Sequence, residues 1–250
     1  MRLTRTRLIA IACLSPSALF GQLNVITSGG FAAAYQELIP AFETRSGISV
    51  KTTRGASQGD GPNTIPAQLR RGLAADIVIM SKEGLSELIS GGKIVPGSAV
   101  DLAQARLGVG VRAGAPKPDI STVEGFKQMV LRAKFINIVS TTAIYMTEKL
   151  FPKLGITADI AGKIKGSTVG EVASGEVEIT IRPVSEILTV PGVDFVGPVP
   201  AEIQFVSVFT AAIVAGSKHT EAAKQLITFL ASEDAKPAIR KSGMQPARSH

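Results

Sequence analysis

The chain has 250 residues, 45% hydrophobic and 19% charged, with a formal net charge of +7 from 27 basic and 20 acidic residues. That hydrophobic share is enough for one large or two modest cores and excludes a disordered chain. The positive charge is scattered with no dense Lys/Arg run, which excludes a nucleic-acid-binding reading.

Residues 1–21 read as a secretory signal peptide. Arg2, Arg5 and Arg7 precede a short apolar run over residues 8–14, and small residues then lead to Gly21. The run is far shorter than the roughly 20 residues a membrane span needs. Its removal leaves 24 basic and 20 acidic residues, a net charge of +4. Cys13 is the only cysteine and goes with it. The mature chain then has no disulfide, no thiol nucleophile and no Cys-based metal site. Export to the periplasm is the expectation.

The next stretch, residues 23–42, organises the rest. An apolar strand over 23–26 turns through Thr27, Ser28, Gly29 and Gly30. Apolar side chains then recur at Phe31, Ala34, Tyr35, Leu38, Ile39 and Phe42, the spacing of an amphipathic helix. A helix start carries unpaired N–H groups and partial positive charge, so with Ser28 beside it this turn suits an anion. The alternative is that Thr27 or Ser28 only caps the helix.

Gly47 is placed to end that helix, and a strand follows over 48–52. A second glycine-rich turn with Ser57 leads into a helix that Thr64 can cap and Pro66 can open. This turn is either a ligand loop or a flexible surface loop. Residues 75–80 form an apolar strand of the kind buried on both faces. A short helix over 84–89, a strand over 107–111, a helix over 122–133 and a strand over 135–139 come next. Ser140, Thr141 and Thr142 then hand a third hydroxyl-rich turn to a helix with Ala143, Met146 and Leu150 on one face.

A short helix over 169–174 and an alternating strand over 177–181 lead to Arg182, Pro183, Val184, Ser185 and Glu186. A guanidinium just after a buried strand can fork onto a carboxylate or oxyanion. The alternative is a surface salt bridge with Glu186. A long apolar strand over 205–214 and an amphipathic helix over 219–230 complete the chain. His219 and His250 are the only histidines and have no carboxylate cluster in sequence, so no metal site or histidine base is expected. Repeated strand, polar turn, helix units predict an α/β fold with its ligand at the carboxyl ends of the strands.

Several motifs carry a family resemblance. Thr27-Ser28-Gly29-Gly30, Gly55-Ala56-Ser57, the run from Ala74 to Ile79, Phe229-Leu230-Ala231-Ser232 and Ser242-Gly243-Met244 resemble the periplasmic solute-binding proteins of the molybdate-binding class. Gly114-Ala115-Pro116-Lys117-Pro118-Asp119-Ile120, Leu150-Phe151-Pro152, Ala173-Ser174-Gly175-Glu176, Val184-Ser185-Glu186 and Val190-Pro191-Gly192-Val193-Asp194 look like the aconitate-isomerase branch of that class.

The resemblance implies a two-lobed type II periplasmic-binding-protein fold, each lobe a mixed sheet flanked by helices. Residues 22–106 plus 206–250 would form one lobe and residues 107–205 the other. A small anion would bind between them, held by Ser28, Gly29, Gly30, Ser57, Ser140, Thr141, Thr142, Arg182 and Ser185. The expected partner is an ABC importer, the expected state a monomer, and no cofactor or metal is implied. Molybdate binders place a tyrosine where Pro183 stands. The isomerase branch favours Ser-Ala-Ser-Gly where this chain has Ser140-Thr141-Thr142-Ala143, and glutamines near Arg182. An arginine there suits a ligand with more negative charge.

Two function classes follow. A binding protein needs only converging donors and a hinge. An isomerase moving a proton across an allylic system also needs a base, and Glu186 is the nearest candidate.

Overall fold

The computed structural model describes residues 22–165 and 168–248, so the expected signal segment lies outside the described residues. Its first half alternates strand and helix: β1 (Leu23–Thr27), α1 (Gly29–Ser46), β2 (Val50–Arg54), α2 (Ile65–Arg70), β3 (Ile77–Ser81) and α3 (Lys82–Ser90). A 13-residue strand, β4 (Val100–Arg112), follows. Then come α4 (Val123–Arg132), β5 (Ile136–Asn137), α5 (Ser140–Tyr145), α6 (Phe151–Leu154), α7 (Thr157–Ile160) and α8 (Gly170–Ser174). The chain closes with β6 (Ile179–Pro183), α9 (Val184–Ile187), β7 (Val193–Pro198), β8 (Val206–Ile213), α10 (Thr220–Leu230), α11 (Lys236–Lys241) and β9 (Gln245–Pro246).

Local chemistry sets these boundaries. Gly47, in the left-handed region at φ 69°, ends α1 and donates its N–H to Glu43 O. The Thr64 hydroxyl accepts from the Ala67 N–H and caps α2, with Pro66 in the first turn. Ser81 and Thr122 cap α3 and α4 in the same way. β4 starts seven residues earlier than the apolar run over 107–111 foretells, and β6 runs two residues past the expected end at 181. Arg182 therefore sits inside β6 rather than just after it.

The sheet order is β2-β1-β3-β8-β4-β6-β5, with β7 and β9 also paired to β4. β1 runs parallel to β2 and β3, whereas β8 is antiparallel to β3. β3 is buried throughout because it packs on both faces. Ile77 and Ile79 enter one core with Phe31, Tyr35 and Leu226. Val78 and Met80 enter another, with Ile65 and Leu85. The period-two alternation of strand side chains does this sorting. Burial also pushes the Tyr35 hydroxyl up to about 12, although Thr52 hydrogen-bonds it at 3.0 Å.

β4 changes partners midway. Up to Arg106 it pairs with β8; from Leu107 it pairs with β6 and β7. A separate core gathers there, around Val109, Phe126, Val130, Phe151 and Ile181. The fold is thus two-lobed, each lobe a mixed sheet with helices on its faces, and the carboxyl ends of the parallel strands face the gap between them.

Candidate functional site

Strand ends from both lobes open onto one cavity of about 190 Å³. Ser28 and Gly29 follow β1, and Gly55, Ala56 and Ser57 follow β2. Ser81 closes β3. From the other lobe come Ser140, Thr141 and Thr142 after β5, and Arg182 and Pro183 at the end of β6. Glu186 of α9 and Ser207 and Phe209 of β8 complete the wall.

Ser28 does not cap α1. Its side chain makes no cap hydrogen bond, and its N–H goes to Ile79 O at 2.8 Å. Its Oγ is buried and has no hydrogen-bond partner. The leading N–H groups of this 18-residue helix have no intrahelical acceptor either. An unpaired hydroxyl and a helix N-terminus therefore share one wall of the cavity. Leaving such a hydroxyl unpaired costs about 1–3 kcal/mol, which a ligand acceptor would recover.

Gly30 serves a different end. A Cβ there would lie 1.9 Å from the Phe209 ring, so only glycine lets α1 start this close to β8. Gly30 and Ser185 do not line the cavity. The Ser185 hydroxyl donates to Gly30 O at 2.7 Å and ties the two lobes together behind it.

Ser57 accepts the Ser81 N–H at 2.9 Å. The Thr141 hydroxyl donates to Gln58 Oε1 at 2.9 Å, so its 2.8 Å contact with Ser81 Oγ is one it accepts. The Gln58 N–H donates to Ser140 Oγ at 3.0 Å, and its side-chain amide donates to Glu87. Ser140 holds φ 55°, the one described non-glycine residue with positive φ. A left-handed serine stores strain of about 1–3 kcal/mol, and such strain gathers at functional sites.

Arg182 is buried, its side chain 7% exposed. Its Nε donates to Asn137 Oδ1 at 2.9 Å and its Nη1 to Glu186 Oε2 at 2.9 Å. The salt bridge with Glu186 therefore exists, but inside the cleft rather than on the surface. Desolvation makes a lone guanidinium costly here, and the carboxylate offsets that cost. Arg182 and Glu186 are the charged groups among the described cavity-lining residues, so the lining is formally neutral.

Sequence reasoning missed Ser81, Gln58 and Ser207. Ser81 had a usable signal, because it too is a hydroxyl between an apolar strand and a helix. Ser207 had none: it is one polar residue inside an apolar strand. Among the described residues, no group of His, Cys, Asp and Glu is arranged to hold a metal ion. No described helix is long and apolar enough to cross a membrane.

Two lobes around a buried, hydroxyl-rich cleft define a solute-binding-protein architecture. The chain belongs to the bacterial extracellular solute-binding protein family, whose sequence model matches residues 23–245. It is 37% identical over 229 residues to an aconitate isomerase of Pseudomonas sp., covering 90% of this chain and 87% of that protein. In structure it resembles the periplasmic molybdate-binding protein of Azotobacter vinelandii, with TM-score 0.71 and 20% identity over 91% of this chain and 100% of the other. It also resembles the sulfate-binding protein SubI of Mycobacterium tuberculosis, with TM-score 0.70 and 19% identity over 90% and 87%. These two structural likenesses speak to the fold.

Proposed function

We propose that the protein captures a small polycarboxylate of the aconitate type in the interlobe cleft. The observation that carries this reading is the unpaired, buried Oγ of Ser28, a residue that lines the same cavity as the buried Arg182. Hydroxyls and helix N–H groups accept any oxyanion, but a guanidinium favours a planar carboxylate it can fork onto. Ser28, Gly29, Ser57, Ser140, Thr141, Thr142 and Arg182 are the contacts in this reading, with Gly30 and Ser185 supporting them from behind. The lobes are read as residues 22–106 plus 206–250 and residues 107–205, because β4 changes partners between Arg106 and Leu107. Membership of the family supports a periplasmic receptor that delivers its ligand to an ABC importer, and we read it as a monomer.

A second reading has its own support in the aconitate isomerase relative and in Glu186. Here the substrate's carboxylate takes Arg182, and the released Glu186 removes a proton from the allylic methylene. The electron pair delocalises onto the adjacent carboxylate, where donors stabilise it. The proton returns at the other end of the allylic unit, so the double bond moves and no redox partner is needed.

Thermal-shift screening with both aconitate isomers, citrate, molybdate, tungstate and sulfate tests the first reading. A ligand at about 100 times its Kd stabilises by about 2.7 kcal/mol. Polycarboxylates should raise the Tm; a response to the inorganic oxyanions alone would overturn the reading. Proton NMR of cis-aconitate with catalytic protein then decides between capture and turnover.

A further inference from the structure

We infer that Glu186 is an internal occupant of the anion seat and sets the specificity of the cleft for polycarboxylates over monocarboxylates. The inference rests on the polycarboxylate reading above and says how that site chooses its ligand.

The Glu186 carboxylate is bonded to one group that would hold an anion and lies beside the other. On one side it accepts from Arg182 Nη1 at 2.9 Å. On the other it lies against the start of α1: a Cβ built on Gly29 would sit 3.1 Å from its Cδ and 3.2 and 3.3 Å from its two oxygens. A Cβ at residue 29 would crowd the carboxylate, which would have to give by a few tenths of an ångström. The helix start has no side-chain cap of its own, and its partial positive charge favours a carboxylate there. Ser28 Oγ, buried and unpartnered in the same wall, marks a donor that Glu186 leaves unused.

An occupant tethered to the protein competes at a high effective concentration. An incoming monocarboxylate would replace the Glu186 contacts with equivalent ones and gain nothing further. A di- or tricarboxylate would replace them and also reach Ser28, Ser57, Ser140 and Ser207 with its remaining groups. Only the second kind of ligand has a surplus. Glu186 also keeps Arg182 paired while the cleft is empty, so no buried charge is stranded.

The test is isothermal titration of the full mature chain and of Glu186→Gln with citrate, tricarballylate and acetate. The glutamine keeps the shape but carries no charge, so it competes only weakly for the Arg182 donor and does not repel an anion. The variant should bind citrate and tricarballylate at least about tenfold tighter, the scale of about 1.4 kcal/mol. Acetate, silent with the parent, should become measurable. Equal or weaker polycarboxylate binding by Glu186→Gln, with the parent still binding, would overturn the role of Glu186 and leave the polycarboxylate reading standing. Silence of both proteins toward every carboxylate would overturn that reading, and this inference with it. A crystal structure of the parent with citrate gives an answer that does not depend on the variant folding. The Glu186 carboxylate should have left Gly29 and Arg182; its retention on both would overturn the inference.

Discussion

Strand β3 ends in two buried polar clusters of opposite character. At its amino end, Asp76 is fully engaged. Its Oδ2 accepts the Asn24 N–H at 2.8 Å, and its Oδ1 accepts Ser217 at 2.7 Å and lies 3.1 Å from His219 Nδ1. Its own N–H and C=O pair with Asn24 and Val214. At the carboxyl end, Ser81 opens onto the cleft, where Ser28 Oγ has no partner and Ser140 is strained. One cluster fastens β1, β3 and the start of α10. The other keeps donors in reserve. A buried polar group that is fully paired serves the fold, whereas one left unpaired is waiting for something.

Four substitutions and one pH profile can break or sharpen that contrast. Arg182→Ala should have the largest effect, weakening polycarboxylate binding by roughly 2–5 kcal/mol. It should also lower stability, since Glu186 loses its partner. Arg182→Lys should rescue binding in part, because an ammonium cannot reproduce the fork. Titration calorimetry and urea unfolding read both effects.

Asp76→Ala should show the reverse pattern. Stability should fall by about 1–3 kcal/mol as the Asn24 and Ser217 donors lose their acceptor. Ligand affinity should stay as in the parent. A loss of affinity without a loss of stability would place Asp76 in the site and dissolve the contrast.

Ser28→Ala separates the two roles within one residue. Binding should weaken by about 1 kcal/mol, the worth of one hydrogen bond. The empty protein should be no less stable than the parent, because the hydroxyl removed has no partner to lose. A clear drop in the Tm of the unliganded variant would show Ser28 to be a structural residue.

The smallest effect is a pH slope. Burial tends to raise the Asp76 pKa, but hydrogen bonds from Ser217, the Asn24 N–H and His219 outweigh it and hold the carboxyl below its ordinary value. A depressed carboxyl pKa stabilises the fold fully above the unfolded value of about 3.9. That contribution is lost as pH falls through the folded value. Acid unfolding of Asp76→Asn should therefore show a shallower dependence on pH below about 4 than the parent.

Much of this was legible in the chain. The alternation of β1, α1, β2, α2 and β3 follows from period-two and helical spacing, and Gly47 and Thr64 act at the ends where their chemistry places them. The hydroxyl turns at Ser28, Ser57 and Thr141 declare themselves because each stands between a strand and a helix. What was not legible depends on pairing between distant strands. The Arg182–Glu186 contact is local in sequence, at four residues' separation, yet its burial comes from β4 and β5 packing around β6. The closeness of Glu186 to Gly29 joins residues 157 positions apart. Ser207 becomes a cleft residue only because β8 lies between β3 and β4.

The central claim is that the cleft holds a polycarboxylate through Ser28 and Arg182. Its most direct test is isothermal titration of trans-aconitate into the protein, with Arg182→Ala and Asp76→Asn run in parallel. The account predicts one saturable site in the parent, the same affinity in Asp76→Asn, and loss of roughly 2–5 kcal/mol in Arg182→Ala. Binding of equal strength in Arg182→Ala, or saturable binding of molybdate by a parent that ignores trans-aconitate, would contradict it.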